Sequence, residues 1–241
     1  VGNFGNAVLN EKNISKKTVL IVEISSYQIS YSNIFKPNYA ILLNVSPDHL
    51  ERHKTFNEYL KTKFKLIFSL KKYDYGFLNR KEPHFKKFLR SKKLKCKIIN
   101  IKNKLSNHDQ NVIKNDYFKS LNNQQNLSFV LKVCSKLKVN KSIIFKVVNN
   151  FKVLNFRQQI IFDSNKLRII NDSKSTSFSS SIDLLSNNNE IFWVLGGLPK
   201  KGDKLKLKNK NNINKIYLFG RYKSFFIKFF KNKFKYFKFK K

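Results

Sequence analysis

The sequence predicts an α/β fold with a mostly parallel sheet, on the evidence of two buried-strand patterns and one helical pattern. Continuous, largely apolar runs span residues 18–24 and 39–45, and such runs are typical of strands that are covered on both faces. Residues 56–70 instead carry apolar side chains at helical spacing. Strands that alternate with helices indicate a parallel sheet packed between helices.

The same alternation continues along the chain. Short strands are predicted at residues 75–78 and 97–101, and helices at residues 121–137 and 141–148. A second unit is predicted to begin near Phe151.

The second unit reads as a small doubly wound domain. Strands are predicted at residues 167–170, 191–195 and 213–219, with a helix that ends at Leu185. The tail, residues 225–241, alternates Phe and Lys. It could form an amphipathic helix at a membrane surface, but we favour a helix and strand that face a core and keep lysine on the wet side.

The charge of the chain is strongly positive. With 50 Lys and Arg against 14 Asp and Glu, the formal net charge is 50 − 14 = +36. Taken alone, this favours an anionic partner such as nucleic acid. The lysines are spread along the whole chain, and the abundance of Lys, Asn, Ile and Phe is typical of an AT-rich genome, so we expect no nucleic-acid partner.

Two further features of composition bound the class of protein. No apolar stretch reaches the roughly 20 residues that a membrane-spanning helix needs, so no membrane insertion is expected. The 241 residues contain no Met, which leads us to expect a fragment of a longer protein.

Three polar motifs follow or lie within the first predicted elements. Glu23 ends the first apolar run, His49 follows the second, and Lys63 lies in the helical stretch, four residues after Tyr59. Each has an ordinary structural explanation: a helix-capping carboxylate, a structural histidine and a solvated lysine. Each also suits metal and phosphate chemistry at the carboxyl edge of a sheet.

The wording of these motifs resembles the Mur ligase family. Residues 23–28 match Glu-(Leu/Ile)-Ser-Ser-(Phe/Tyr)-Gln, and residues 44–52 match the family segment that contains Asp-His. The resemblance implies that Glu23 and His49 bind Mg²⁺. It implies that Lys63 is carbamylated and supplies further anionic oxygens to the ion.

The resemblance extends to residues that would bind substrate and nucleotide. It places Ser25 and Gln28 beside the nucleotide-sugar substrate, and Asn3 at the substrate's diphosphate or sugar. Asn123 and Asn126 match the Asn-x-x-Asn that meets adenine.

The second half of the chain contains further matches to motifs of the family, and these matches identify five candidate site residues. Arg157 resembles the arginine that contacts ATP, although the residue before it is Phe where the family usually has His. Asp172, Lys174 and Thr176 match Asn-Asp-Ser-Lys-(Ala/Ser)-Thr almost fully. Lys174 can neutralise charge on a phosphate, Asp172 can orient Lys174 or the metal, and Thr176 would bind substrate. Lys200, in the Gly-Gly segment at residues 196–203, would meet the carboxylate of D-glutamate.

The resemblance also implies an architecture and an activity. Residues 1–150 would be a central domain that lacks its phosphate loop, and residues 151–241 an incomplete, Rossmann-like C-terminal domain. The enzyme would be a cytoplasmic, monomeric ligase of peptidoglycan synthesis that uses ATP and Mg²⁺ to add D-glutamate to UDP-N-acetylmuramoyl-L-alanine through an acyl phosphate. No Gly-x-x-Gly-Lys-(Ser/Thr) loop occurs in the chain, so these residues alone are expected to be inactive.

Two alternatives to this activity stay open. One is a sister enzyme, either another Mur-type ligase or folylpolyglutamate synthase. The other is a basic nucleic-acid-binding protein, which would need clustered lysines with exposed aromatic residues among them.

Overall fold

The computed structural model describes residues 1–90, 93–200, 203–207, 209–231 and 234–238. Backbone contacts group the chain into two compact units: Val1–Val45 with His49–Asn100, and Ser46–Asp48 with Ile101–Lys241. This grouping divides the chain at a different point from the domain boundary near Phe151, which stays a prediction.

The first unit contains a parallel three-stranded sheet in the order β1-β2-β3. Tyr39 of β1 is in register with Tyr75 of β2, which is in register with Lys97 of β3. A single 3₁₀ turn at Val8–Asn10 precedes the regular elements. The strands and helices of this unit are α1 (Ser26–Tyr31), β1 (Tyr39–Leu42), α2 (Leu50–His53), α3 (Phe56–Phe68), β2 (Tyr75–Leu78), α4 (Pro83–Leu89) and β3 (Lys97–Asn100).

Helix α3 packs the core of the first unit because its apolar residues recur every three or four positions. Leu60, Phe64 and Ile67 are 5%, 0% and 1% exposed. The ring of Phe64 contacts that of Phe85 on α4 edge-on, with centroids 5.2 Å apart. Thr55 caps the start of α3 by accepting a hydrogen bond from a first-turn amide. The predicted helix at residues 56–70 is confirmed, as are the strands at 75–78 and 97–101.

The strand predicted at residues 18–24 is wrong. Ile21 is 78% exposed, and the segment makes only an isolated parallel bridge between Glu23 and Gly2. Its backbone bonds run to the first residues of the chain: the Val1 ammonium donates to the Ile21 carbonyl at 3.0 Å, and the Glu23 amide donates to the Val1 carbonyl at 2.9 Å. An apolar run indicates a tendency to be buried but does not specify a neighbouring strand, and here no ladder extends along the run.

The helices of the second unit were largely predicted. The structure has α5 (Asn107–Val112), a 3₁₀ turn at Asp116–Lys119, α6 (Leu121–Lys136), α7 (Lys141–Asn149), α8 (Phe178–Ser186) and α9 (Lys223–Phe230). Leu127 of α6 and Ile144 and Val148 of α7 are buried in one small apolar cluster.

The strands of the second unit form two separate sheets. A parallel sheet is built from β6 (Ile191–Leu195), β7 (Ile213–Leu218) and β8 (Tyr236–Lys238). An antiparallel hairpin joins β4 (Gln159–Asp163) to β5 (Arg168–Asn171). The prediction that residues 167–170 form a strand of the doubly wound sheet is therefore wrong, because this strand pairs with β4, a neighbour that the sequence pattern did not reveal.

The Phe- and Lys-rich tail packs as the favoured interpretation predicted, over the part that the structure describes. Phe226 and Phe230 of α9 are 4% and 0% exposed and pack with Ile216 of β7, which is fully buried. The last three residues of the tail, 239–241, lie outside the described residues. Over the described ranges, no helix is both long and apolar enough to cross a bilayer.

Candidate active site

The first polar motif builds the start of α1. The hydroxyl of Ser25 accepts a hydrogen bond from the Gln28 amide at 3.2 Å, and the Ser25 amide donates to Oε1 of Gln28 at 2.9 Å. This reciprocal pair is a capping box, which satisfies two backbone donors at the helix end. Both residues therefore have a structural role, and their contact with a nucleotide sugar stays a prediction.

His49 is held by two neighbours on its Nδ1 side. Nδ1 lies 3.2 Å from the Tyr27 hydroxyl and 3.5 Å from Oε1 of Glu51. Tyr27 in turn donates to the same Glu51 oxygen at 3.3 Å. His49 takes a left-handed backbone conformation with φ of 53° at the start of α2. Such a conformation is uncommon for a non-glycine residue and clusters at functional sites.

Lys63, His49 and His53 all lie around the ring of Tyr59. The Nζ atom of Lys63 lies 5.6 Å from the centroid of the Tyr59 ring. The same ring has its centroid 5.2 Å from that of His53 and 6.5 Å from that of His49. The structure thus places His49 and Lys63 around one aromatic platform, the Tyr59 ring, and a metal site shared with Glu23 stays a prediction.

His53 is the buried member of this group. It is 8% exposed, and its Nε2 lies 3.0 Å from the Ser26 hydroxyl. Burial lowers the pKa of His53, and neighbouring cationic groups, Lys63 among them, lower it further.

Glu23 lies in the loop that pairs with the chain start. Its side chain is exposed, and its carbonyl accepts from the Asn3 amide at 2.8 Å. Gly2 has φ of +108°, and a Cβ there would lie 2.3 Å from the Glu23 carbonyl oxygen. Glycine is therefore required for this close approach, and it sets Asn3 next to Glu23.

The donor chemistry decides whether these residues suit Mg²⁺. Within the described ranges, no three His, Cys, Asp and Glu side chains gather as a metal site. The predicted set contains only Glu23 and His49 of these types, together with Lys63. As an ammonium, Lys63 would repel a cation, whereas a carbamate offers anionic oxygens. Carboxylate and carbamate oxygens are ligands that Mg²⁺ prefers, whereas imidazole is an unusual one, so the chemistry of this set suits the ion only when Lys63 is carbamylated.

In the second unit, hydrogen bonds join two of the predicted motifs. The Lys174 amide donates to the Phe156 carbonyl at 2.9 Å, and the Gln158 amide donates to Oδ1 of Asp172 at 3.1 Å. These bonds fasten both sides of Arg157 to the loop that follows β5. Phe156 and Gln158, which flank Arg157, both have left-handed backbones, with φ of 67° and 52°. The two hydrogen bonds stabilise these uncommon backbone conformations of Phe156 and Gln158.

Asp172 is the most perturbed carboxylate of this region. Burial raises its pKa, against the opposing effects of nearby hydroxyls, the Gln158 amide and Arg157. Its Oδ2 is buried and has no hydrogen-bond partner among the described residues. Burial raises the pKa of Tyr117, and the charge of Asp172 adds to this rise while that of Arg157 opposes it. A buried carboxylate oxygen without a hydrogen-bond partner in the described part of the chain, on a carboxyl with a raised pKa, marks Asp172 as a functional-site candidate.

Lys174 lies in a hydrogen-bonded turn that begins at Asp172, and Thr176 follows that turn. The Ser175 amide donates to the Asp172 carbonyl at 2.9 Å and closes this turn. The side chains of Lys174 and Thr176 are both exposed. Lys174 is therefore accessible to an anionic ligand.

The two asparagines of the predicted adenine motif have different environments. Asn123 is 6% exposed, and its Nδ2 donates to the Tyr117 carbonyl at 2.7 Å. Asn126, one turn later on α6, is exposed. Asn123 thus fixes the 3₁₀ turn to the helix, and a contact of either residue with adenine stays a prediction.

Lys200 forms an ion pair within the second unit. Its Nζ lies 2.7 Å from Oδ1 of Asp48, and the two side chains are 27% and 30% exposed. The next residues of the predicted segment, Lys201 and Gly202, lie outside the described residues. The contact of Lys200 with D-glutamate stays a prediction.

A family model decides the kinship of the chain. The model of the Mur ligase middle domain matches residues 5–156, well over half of the sequence. The chain belongs to the Mur ligase family. The match takes in the Glu23, His49 and Lys63 motifs and the Asn123 helix.

Two curated relatives of this Mur ligase chain are D-glutamate ligases by name. The UDP-N-acetylmuramoylalanine–D-glutamate ligase of Rickettsia prowazekii (strain Madrid E) is 29% identical over 249 aligned residues, which cover 96% of this chain and 56% of the relative. The enzyme of the same name from Prochlorococcus marinus (strain MIT 9312) is 31% identical, over 91% of this chain and 51% of the relative. The chain thus spans about half the length of the curated relatives it matches.

Solved Mur ligase structures show the same fold. MurF ligase from Thermotoga maritima, crystallised with ADP, superposes with a TM-score of 0.61 at 18% identity, over 88% of this chain and 55% of that one. MurF from Acinetobacter baumannii gives 0.59 at 14% identity, over 89% and 58%. These likenesses confirm the α/β architecture predicted from the sequence.

Sequence reasoning missed several residues that build the site. The capping box of Ser25 and Gln28 has a local signature, a serine followed three residues later by glutamine, and could have been found. Tyr27 lies inside the motif at residues 23–28, and His53 lies one helical turn after His49, so local spacing already places both near predicted residues. The contacts of Tyr27 with His49 and of His53 with Ser26 join separate segments, and no local pattern in the sequence indicates them.

Proposed function

We propose that this chain is part of an ATP-dependent ligase that joins D-glutamate to UDP-N-acetylmuramoyl-L-alanine in peptidoglycan synthesis. The observation that carries the proposal is the alignment with a D-glutamate ligase over 96% of the chain, which takes in both groups of motifs. The fastening of the Arg157 and Asp172 loops to each other supports it, because both motifs belong to the nucleotide side of the reaction.

The reaction has two balanced steps. A carboxylate oxygen of UDP-N-acetylmuramoyl-L-alanine attacks the γ-phosphorus of ATP, and ADP leaves with the electrons of the broken P–O bond. The amine of D-glutamate then attacks the acyl phosphate carbonyl, loses a proton, and expels inorganic phosphate from a tetrahedral intermediate. Charge builds on phosphoryl oxygens in both steps, so positioned cations supply much of the catalysis.

The nucleotide side of the site is proposed in the second unit. Lys174 neutralises charge on the transferred phosphoryl group, and its exposed side chain suits that role. Arg157 binds the phosphates or stacks on the base, which the replacement of the usual His by Phe156 leaves possible. Asp172, Asn123 and Asn126 complete the proposed nucleotide site.

The acceptor and metal side is proposed around the Tyr59 platform. Glu23, His49 and carbamylated Lys63 would hold Mg²⁺, which neutralises phosphate charge when bound. Tyr59 lies under Lys63 and fixes the direction of its side chain.

The remaining substrate contacts are proposed from the same kinship. Asn3, Ser25, Gln28 and Thr176 would contact the nucleotide sugar. Lys200 would exchange its Asp48 partner for a carboxylate of D-glutamate.

The partners and location are proposed on the same grounds. We expect a cytoplasmic monomer that binds the two substrates, without nucleic acid and without membrane insertion. The basic charge then serves the binding of anionic nucleotides.

A chimera tests the proposal. Residues 1–241 would replace the aligned segment of the Rickettsia prowazekii relative, and phosphate release from ATP would be measured with UDP-N-acetylmuramoyl-L-alanine and one amino acid at a time. Turnover with D-glutamate, and not with L-glutamate, L-alanine or meso-diaminopimelate, is expected. Turnover with a different acceptor would make the chain part of a sister ligase. A folded chimera that releases phosphate with none of them would contradict the ligase assignment.

A further inference from the structure

A cavity of about 620 Å³ lies beside the end of α3 in the first unit, within the size range of small-molecule sites. Its wall is largely basic, since four of the seven lining residues are lysines: Lys36, Lys71, Lys72 and Lys95. The remaining lining residues are Phe68, Ser69 and Leu70. All four lysine side chains are exposed, so their ammonium groups are accessible to a ligand.

The four lysines come from three loops at one edge of the sheet. Lys36 lies in the loop before β1, residues 71 and 72 lie in the loop before β2, and Lys95 lies in the loop before β3. These strands are parallel and in register, so the loops that precede them meet at the amino edge of the sheet.

The cavity and His49 belong to opposite ends of α3. The ring of Tyr59, near the start of that helix, has its centroid 6.5 Å from that of His49, whereas Phe68 at the end of the helix lines the cavity. The cavity is therefore separate from the residues proposed for the metal.

The charge of the cavity is of one sign. Among the described residues, none of its four lysines forms an ion pair. Asp74 lies close to Lys71 in the chain, but its Oδ2 accepts the Lys71 amide at 2.7 Å. Lysine at the end of α3 also complements the helix dipole, which explains Lys71 but not Lys36 or Lys95, since these belong to other loops. A cleft with one sign of charge and apolar walls concentrates counter-ions.

Aromatic rings adjoin the lysines. Tyr73 is 74% exposed, and the Nζ atoms of Lys72 and Lys97 lie 5.8 and 6.0 Å from its ring centroid. Phe68, in the cavity wall, is 41% exposed. Exposed aromatic faces can stack on a planar base while neighbouring cations contact phosphates.

We propose that this cavity binds the polyphosphate group of a small ligand, with lysines from three loops as the phosphate contacts. A nucleoside polyphosphate and free inorganic polyphosphate share this chemistry. The cavity belongs to the first unit, whereas Arg157, Asp172 and Lys174 of the proposed nucleotide site belong to the second. The proposal therefore goes beyond the ligase reaction and does not depend on it.

Lysine footprinting tests the proposal on the 241-residue chain without Mg²⁺. The chain would be acetylated briefly with acetic anhydride at increasing concentrations of inorganic tripolyphosphate or ATP, and each lysine would be followed by mass spectrometry. Both probes should protect the four cavity lysines in preference to Lys86 and Lys87 of α4, which do not line the cavity. Protection by ATP at lower concentrations than by tripolyphosphate would indicate a nucleotide, and equal protection would indicate free polyphosphate.

Two double variants separate the cavity from general attraction to a basic chain. Lys71→Gln with Lys95→Gln should weaken the protection of Lys36 and Lys72 about tenfold or more, because two charge contacts are lost. Lys86→Gln with Lys87→Gln removes the same charge and should change it less than about twofold.

Four results would overturn the proposal. They are no protection of the cavity lysines, equal protection of Lys86 and Lys87, equal weakening in the two double variants, and stronger protection by single-stranded oligothymidylate than by either small probe. The last result would make the surface a nucleic-acid site. None of these results depends on turnover by the chimera, so failure of this proposal and failure of the ligase assignment are distinguishable.

Discussion

His53 shows how one buried side chain connects packing to pH. The residue is 8% exposed and bonded to Ser26, and burial holds its pKa below the ordinary value of 6.5. The folded state therefore disfavours the protonated ring, while the unfolded chain takes up a proton near pH 6.5. Stability from this residue is present above that pH and is lost as the pH falls from 6.5 toward the lower folded pKa.

We predict that His53→Gln removes this acid sensitivity, since glutamine can bond to Ser26 but does not titrate. Between about pH 7.5 and 5, the wild-type chain should lose stability faster than the variant, by at most about 1.4 kcal/mol per pH unit. Urea unfolding at several pH values measures the difference. Ser26→Ala, which removes the hydrogen bond but keeps the burial, should retain the acid sensitivity. Parallel pH profiles for wild type and His53→Gln would contradict the account.

Asp172 gives the opposite dependence on pH. Its folded pKa is raised by burial, so the folded state favours the protonated form. Stability from this residue is present below its ordinary pKa of 3.8 and is lost as the pH rises through the raised folded value.

We predict that Asp172→Asn stabilises the chain at neutral pH relative to wild type, by about 1 kcal/mol or less. Asparagine stays neutral and its oxygen can still accept from the Gln158 amide. The gain should grow as the pH rises above 3.8 and should vanish below it, as measured by urea unfolding. Asp172→Ala, which removes the acceptor, should destabilise across the range. A gain for Asp172→Asn that is independent of pH would exclude the raised pKa.

At the scale of elements, α9 offers a matched pair of phenylalanines. Phe230 is 0% exposed and Phe225 on the same helix is 45% exposed. We predict that Phe230→Ala costs about 3–5 kcal/mol of unfolding free energy. Phe225→Ala should cost clearly less than Phe230→Ala because nearly half of the Phe225 side chain is already exposed. Urea unfolding of the two variants checks this, and equal losses would mean that the helix does not present this face to the β6-β7-β8 sheet.

Elements with a strong hydrophobic periodicity could be predicted from the sequence, whereas the strands with which they pair could not. Strands β2 and β6 lie where the apolar pattern placed them, since Tyr75–Leu78 and Ile191–Leu195 match the predicted ranges. Strand β4 was missed, and β5 was placed in the wrong sheet, because their pairing is a hairpin with half-exposed side chains such as Ile160, at 51%. Hydrophobic period reports burial, whereas pairing depends on contacts between distant segments.

The candidate site shows the same division. The family motifs identified Asp172, Lys174 and Arg157 from the sequence. In the structure, two hydrogen bonds join the segments that carry these residues. The contact of the Tyr27 hydroxyl with His49 joins α1 to the start of α2 across 22 residues, and no local periodicity specifies it. Sequence identifies the chemical groups of this site, and tertiary structure supplies the hydrogen bonds that orient them.

At the scale of the whole molecule, the central claim is that these loops serve phosphoryl transfer to a carboxylate. Lys174 lies in the turn that begins at Asp172, within an almost complete match to a family motif. Lys61 is also an exposed lysine, but it pairs with Glu58 on the outer face of α3 at 2.6 Å. The two lysines therefore compare the lysine of the proposed phosphate site with an exposed lysine that is paired on its own helix.

The most direct test is the rate of ATP-dependent D-glutamate ligation by the chimera with the Rickettsia prowazekii relative, carrying either Lys174→Ala or Lys61→Ala. Phosphate release would be measured with UDP-N-acetylmuramoyl-L-alanine, with and without D-glutamate. Removal of a positioned charge from a phosphoryl-transfer site is expected to lower kcat on the order of a hundredfold or more, so Lys174→Ala should be nearly inactive. Lys61→Ala should retain the rate of the unsubstituted chimera. Equal loss from the two substitutions, or full activity of Lys174→Ala, would contradict the account.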